Sequence, residues 1–435
     1  MSGDSLDPYV DLYAGRARGL IVSEIRALFA VANRPEVVSL AGGAPYVSAL
    51  PLDEVAAIVG ELIAEHGAQA LQYGSGQGDP VLRERICDVM AVEGVRGTPD
   101  DVLVTVGSQQ ALDLLARLFI DPGDVVIAEG PTYVGALGAF AAAQADVVHV
   151  PLDDNGLQPE ALREALGRLA ASGRRAKLLY TVPNFHNPAG VTLAASRRQE
   201  VVELAQRYGV LVVEDNPYGL LGFDHEPLPA LHSLAGGRNV AYLGSFSKTF
   251  AAGLRVGWVL APPAVREKLV LLTEAQILCP PALTQLAVVR YLEAMAWQEQ
   301  IKVFREAYRE RRDAMLDALD ALMPRGCRWT RPGGGFYVWL TAPDGVDTKL
   351  MQPRAIGQRV AYVPGTGFYA DGSGRDAMRL AYCFPPPAEI REGVRRLAAV
   401  LEDERELAAT FHRAGTARSD GRQTHRGEVP GPAIP

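Results

Sequence analysis

Four short apolar runs, each breaking at once into a turn rich in glycine or proline, constrain this chain more than any other feature. They are Val102–Val106 before Gly107-Ser-Gln-Gln110, Val125–Glu129 before Gly130-Pro-Thr-Tyr133, Ala176–Val182 before Pro183-Asn-Phe-His-Asn187, and Val210–Asp215 before Asn216-Pro217. Runs this short and this rich in branched side chains read as strands covered on both faces, as in a parallel sheet. From about residue 51 to 300 they alternate with helical stretches, which is the pattern of a doubly wound α/β domain. In such sheets ligands bind beyond the carboxyl ends of the strands. The four turns should therefore meet at one edge.

The side chains delivered to that edge point to one chemistry. Lys248 lies in Ser245-Phe-Ser-Lys248, with Arg255 seven residues on. The hydroxyls of Ser245 and Ser247 can donate to phosphate oxygens and Arg255 can neutralise a dianion. The amine among them can form a Schiff base with a phosphorylated aldehyde, a combination that suits pyridoxal phosphate. Asp215 ends an apolar run 33 residues before the lysine. Paired with a pyridine nitrogen, its carboxylate keeps the ring protonated and able to accept electrons from a bond broken at a substrate α-carbon. At Gly107-Ser108 a strand meets a helix start, whose free amides form an anion site. Asn187 offers an amide to a phenolic oxygen, and Tyr133 a flat ring to stack on a heterocycle.

The ordered set Gly107-Ser-Gln-Gln110, Pro131-Thr-Tyr133, Asn187-Pro-Ala-Gly190, Asp215-x-x-Tyr218 and Ser245-x-Ser-Lys248 with Arg255 resembles a fold-type I pyridoxal-phosphate aminotransferase. The likeness runs from about residue 20 to 405. Ser23-Glu-Ile-Arg26, Leu40-Ala-Gly-Gly43, Leu71-Gln-Tyr-Gly74 and Arg379-Leu-Ala-Tyr-Cys-Phe384 are similar to the α-aminoadipate, kynurenine and aromatic aminotransferase subgroup. The resemblance implies that Lys248 is Schiff-base partner and general base, exchanging an amino group between an amino acid and a 2-oxo acid. Asp215 would pair with the ring nitrogen, Asn187 and Tyr218 would hold the phenolate oxygen, and Tyr133 would stack on the ring. Gly107, Ser108, Gln109, Ser245, Ser247 and Arg255 would surround the phosphate, joined by Tyr73 from the other subunit of a homodimer. Arg379 would bind the substrate α-carboxylate as a bidentate fork, which lysine cannot copy. Gly43 and Arg26 would lie on the substrate side. Elimination, replacement or cyclisation on an amino-acid side chain would use the same residues. A cofactor-sensing domain of a transcription regulator is a third reading, disfavoured by the roughly 20 residues ahead of Ser23 and by the acidic charge.

This chain departs from the pattern that it resembles in two places. Ala44-Pro-Tyr-Val-Ser-Ala-Leu-Pro51 replaces a segment that often carries a bulky aromatic, and Ala189 stands where threonine is frequent. Phe185 and His186 could face substrate, although a loop histidine is more often solvated or bonded to backbone.

A net charge of −8 on 435 residues argues against a nucleic-acid partner. The four cysteines are widely spaced and suggest neither zinc nor a disulfide framework. The N-terminus lacks a signal pattern and no apolar run approaches a membrane span, so a cytoplasmic location is expected. Four parts follow. Residues 1–50 form a lead segment packing on the small domain and active site, with a helix over Leu20–Ala32. Residues 51–300 form the large cofactor-binding domain and 301–410 a smaller α/β domain, entered by the amphipathic stretch Gln298–Leu322. Residues 411–435 are polar and aperiodic, which reads as a disordered tail.

Overall fold

The computed structural model describes residues 7–19, 34–224 and 226–420. Arg26 and the expected helix over Leu20–Ala32 lie outside them. A short strand β1 (Val38–Ser39) leads in, followed by the helices Leu52–Ala70 and Pro80–Ala91. The large sheet then forms from β2 (Val102–Val106), β3 (Val125–Gly130), β4 (Asp146–Asp153), β5 (Gly156–Leu157), β6 (Ala176–Thr181), β7 (Leu211–Asp215), β8 (Val240–Ser245) and β9 (Val256–Leu260). Its order is β2-β9-β8-β7-β6-β3-β4-β5. The four runs picked out above are β2, β3, β6 and β7.

Strands β4, β3, β6, β7 and β8 pair in parallel, whereas β9 runs antiparallel between β8 and β2. Neighbouring residues in each strand point to opposite faces. Val126, Ala128 and Val213 pack with Leu112, Leu115 and Phe140 from the helices Gly107–Phe119 and Val134–Ala142. Val125, Ile127 and Val212 pack with Leu162, Leu166 and Val201 from the helices Pro159–Ala171 and Ala195–Tyr208. Helices cover both faces, which is why these strands could be apolar throughout.

The helix Trp297–Leu322 opens the second unit and packs along the helix Pro387–Asp420. A second sheet, β10 (Arg328–Trp329), β11 (Tyr337–Thr341), β14 (Ala377–Ala381) and β13 (Val363–Pro364), is antiparallel in that order, while β12 (Val360–Ala361) pairs with β1. Strand β11 starts later than the run from Gly333 suggested. Gly335 has φ +71, a left-handed turn that glycine adopts freely and that delays the extended backbone. The last helix continues to Asp420, ten residues into the segment expected to be disordered. Ala and Arg there favour helix, and no proline intervenes before Pro430.

Candidate active site

Strand β2 ends at Val106, and Gly107 turns the chain at φ +69 into the helix Gly107–Phe119. A Cβ at Gly107 would stand 2.3 Å from Arg255 Nη2, and one at Gly257 would stand 2.7 Å from the Ser108 nitrogen. Glycine at both positions lets β9, the helix start and Arg255 close on one another. From the end of β8, Ser245 Oγ donates to Ser247 Oγ over 2.9 Å, and Arg255 Nη1 donates to Ser247 Oγ over 3.2 Å. A guanidinium, two hydroxyls and the free amides of a helix N-terminus are thus packed together, a group able to bind a dianion. Gln109 is spoken for differently. Its Nε2 donates to the Gly135 carbonyl and its Oε1 accepts from Tyr133 Oη, so the side chain braces the Tyr133 turn. Burial pushes the Tyr133 phenol up to about 12.

Asp215, the last residue of β7, is 3% exposed. Tyr180 Oη donates to its Oδ2 over 2.8 Å, and its Oδ1 is buried with no partner among the described residues. Burial pushes the carboxyl up to about 6, against the Tyr180 hydrogen bond and the Lys248 charge. An unmet carboxylate oxygen at a strand end is costly unless something donates to it.

Lys248 Nζ donates to the Gly43 carbonyl over 3.3 Å and lies 5.5 Å from the centre of the Phe336 ring. Burial, with the Arg379 and Arg255 charges behind it, pushes the amine down to about 8. Arg379, on β14 and 1% exposed, donates from Nη1 to Asn187 Oδ1 (3.0 Å) and from Nη2 to the Ala41 carbonyl (2.7 Å). Its Nε is buried with no partner among the described residues. Its guanidinium carbon lies 4.3 Å from the Tyr337 ring centre and 5.1 Å from that of Phe368. Because Asn187 receives the arginine on its oxygen, its amide NH2 is left to donate elsewhere. Buried Tyr218 shares a hydrogen bond with the Tyr337 hydroxyl. That hydroxyl would lie 1.9 Å from a Cβ on Gly43, so the approach requires glycine.

Hydrogen bonds and packing therefore tie most of the expected residues into two groups. Gly107, Ser108, Ser245, Ser247 and Arg255 form one, with Tyr133 and Gln109 beside it. Asn187, Tyr218, Arg379, Lys248 and Gly43 form the other, with Asp215 coupled to Lys248 by charge. Tyr73 does not join them in this chain. It is 77% exposed, on the loop after the helix Leu52–Ala70. Tyr180 and Tyr337 were not singled out from sequence, where each reads as one more aromatic in an apolar strand. Phe185 packs against Gly334 and Gly335, and His186 is buried against protein.

Comparison with known proteins gives the family. The family model described as aminotransferase class I and II matches residues 35–397. The chain is 41% identical over 397 residues to aromatic-amino-acid aminotransferase 1 of Thermococcus litoralis, covering 91% of this chain and 95% of that one. It is 38% identical over 392 residues to 2-aminoadipate transaminase of Thermus thermophilus, covering 89% and 96%. Among solved structures, kynurenine aminotransferase of Pyrococcus horikoshii superposes with a TM-score of 0.88 at 39% identity, over 92% of this chain and 99% of that one. With a doubly wound large sheet, a lysine and a carboxylate at neighbouring strand ends, and a match across most of its length, this chain belongs to the class I and II aminotransferases.

Proposed function

We propose that the residues gathered at these strand ends hold the pyridoxal phosphate and the amino-acid substrate of this aminotransferase. The observation that carries the assignment is Asp215, whose buried Oδ1 lacks a partner among the described residues while a lysine pushed down to about 8 stands in the turn that follows the adjacent strand β8. A protonated pyridine nitrogen is the donor that such an oxygen lacks, and the narrow seam at Gly107 and Gly257 beside Arg255 suits a phosphate.

When bound, the cofactor supplies an electron sink for the bonding pair at the substrate α-carbon. Asp215 keeps the proton on the ring nitrogen. Lys248 would hold the cofactor at its aldehyde carbon and would take the proton from the substrate α-carbon, a task eased by an amine pushed down to about 8. Asn187 NH2 and Tyr218 would hold the phenolic oxygen, and Tyr133 would cover the ring. Arg379, with Nε unmet among the described residues and both terminal nitrogens already oriented, would take the substrate carboxylate.

The relatives named above act on aromatic amino acids, 2-aminoadipate and kynurenine. We assign this chain a donor with a long acidic or aromatic side chain, with Arg26 meeting its far end. Tyr73, with Leu71 and Leu278 also exposed nearby, belongs to a face that a second copy would cover, completing the phosphate site of a homodimer. The four cysteines, all free, fit a reducing compartment and hence a cytoplasmic enzyme. Among the described residues no helix is long and apolar enough to cross a membrane. A panel of amino acids added to the holoenzyme tests the substrate assignment. Loss of the visible cofactor band with an aromatic or acidic donor supports it, and loss only with small aliphatic donors overturns it. Light scattering of the purified enzyme at twice the chain mass would support the dimer.

A further inference from the structure

The Asn187 turn is held from below by a carboxylate that the chemistry above does not use. Glu129, next to last in β3, is 1% exposed. Its Oε1 accepts from Thr181 Oγ1 (2.8 Å) and its Oε2 from the Val182 amide (2.8 Å). The same Oε2 stands 3.0 Å from His186 Nε2, also buried. On its other side, His186 Nδ1 accepts from the Ala189 amide over 3.1 Å, which places the ring proton on Nε2. Among the described residues Nε2 makes no hydrogen bond, so its approach to Glu129 is an electrostatic contact. The His186 amide and carbonyl close the turn by bonding Val191 and Gly190. The next residue is Asn187, whose oxygen receives Arg379.

We propose that Glu129 and His186 are a positioning pair that aims Asn187. One carboxylate ties β3, whose loop carries Tyr133, to the end of β6 and to the turn that presents the Asn187 amide. Neither residue touches cofactor or substrate in this proposal. They act through Asn187, and the inference rests on the assignment of Asn187 to the phenolic oxygen made above.

The two ring nitrogens of His186 can be separated by substitution. His186→Asn retains an acceptor near the Nδ1 position and deletes the reach to Glu129. His186→Gln places an amide nitrogen near the Nε2 position and retains that reach. The readout is the pH midpoint of the visible band of pyridoxal phosphate bound to each holoenzyme, which reports donors to the phenolic oxygen independently of turnover. Asn187→Ala should move this midpoint by about one pH unit, a tenfold change in proton affinity. His186→Asn should move it the same way by roughly half as much, and His186→Gln by less than either. Combined with Asn187→Ala, His186→Asn should add nothing, because residues acting through one another are not additive. An unmoved midpoint in His186→Asn, or a full additional shift in the double variant, overturns the pairing. An unmoved midpoint in Asn187→Ala itself would instead overturn the site assignment beneath it. Should His186→Asn not fold, Glu129→Asp takes its place in the cycle with the same expected and contrary results, since it keeps the charge and withdraws it by one carbon.

Discussion

Replacing Asp215 with asparagine should stabilise the protein without its cofactor while disabling the enzyme. In the folded chain burial raises the carboxyl from 3.8 to about 6. At ~1.36 kcal/mol for each tenfold change in proton affinity, ionising it in place costs ~3 kcal/mol. The sign follows from the direction. A raised carboxyl contributes stability that is fully present below 3.8 and is lost as pH rises through about 6. Asparagine keeps an oxygen for Tyr180 and has nothing to ionise. The variant's amide nitrogen is no better met than the Oδ1 that it replaces. Apo wild type and apo Asp215→Asn should therefore melt together near pH 4 and diverge by pH 7.5. With an unfolding entropy of ~2.1 cal/mol/K per residue, ~3 kcal/mol is about 3 °C in favour of the variant. Glu93 and Glu214, both buried and raised to about 7, impose a similar trend on both proteins and cancel in the difference. Holo activity should fall on the order of 10²- to 10³-fold, as when a fixed charge opposite developing charge is removed. Differential scanning fluorimetry of both apo proteins from pH 4 to 8, beside single-turnover kinetics of both holoenzymes, measures the two halves. A pH-independent gap in melting temperature, or activity within a few-fold of wild type, would refute the reasoning.

Three further outcomes are expected. Because Lys248 is pushed down to about 8 and only the neutral amine attacks an aldehyde, the rate at which apoenzyme captures pyridoxal phosphate should rise with pH around a midpoint near 8. Stopped-flow absorbance checks this, and a midpoint above 10 would contradict it. Arg379→Lys should bind amino acids about 10- to 100-fold more weakly while holding its cofactor, the loss expected from charged hydrogen bonds of ~1.5–3 kcal/mol. Titration of the visible band separates the two affinities. Gly43→Ala should raise KM and lower stability, since its Cβ would fall 1.9 Å from the Tyr337 hydroxyl, and Tyr337→Phe should restore part of both. Rescue is absent if the crowding atom is another one.

The residues legible in sequence are those whose placement depends on a few neighbours along the chain. An apolar run that breaks into a turn fixes where Asp215, Tyr133 and Asn187 emerge, because a strand between two helical layers leaves its end only one edge to occupy. The antiparallel insertion of β9 follows from chain length. Ten residues separate β8 from β9, too few for the dozen or more that a parallel crossover requires. What could not be read are the partners that set each side chain's chemistry. Arg379 takes its bonds from residues 192 and 338 positions away, and Lys248 takes its bond from one 205 positions away. Nothing periodic links such positions. Gln109 shows the consequence. Its place at a helix start fits a phosphate contact, yet Gly135, by lacking a Cβ, lets the amide turn inward, where a Cβ would stand 2.3 Å from Oε1. Tyr180 shows the converse, an aromatic at a core position whose hydroxyl alone reaches Asp215. Local sequence thus determines which groups reach the edge of the sheet, and long-range packing determines their protonation and direction. The raised carboxyl of Asp215 and the lowered amine of Lys248 belong to the second kind of information, since both arise first from burial by the assembled fold.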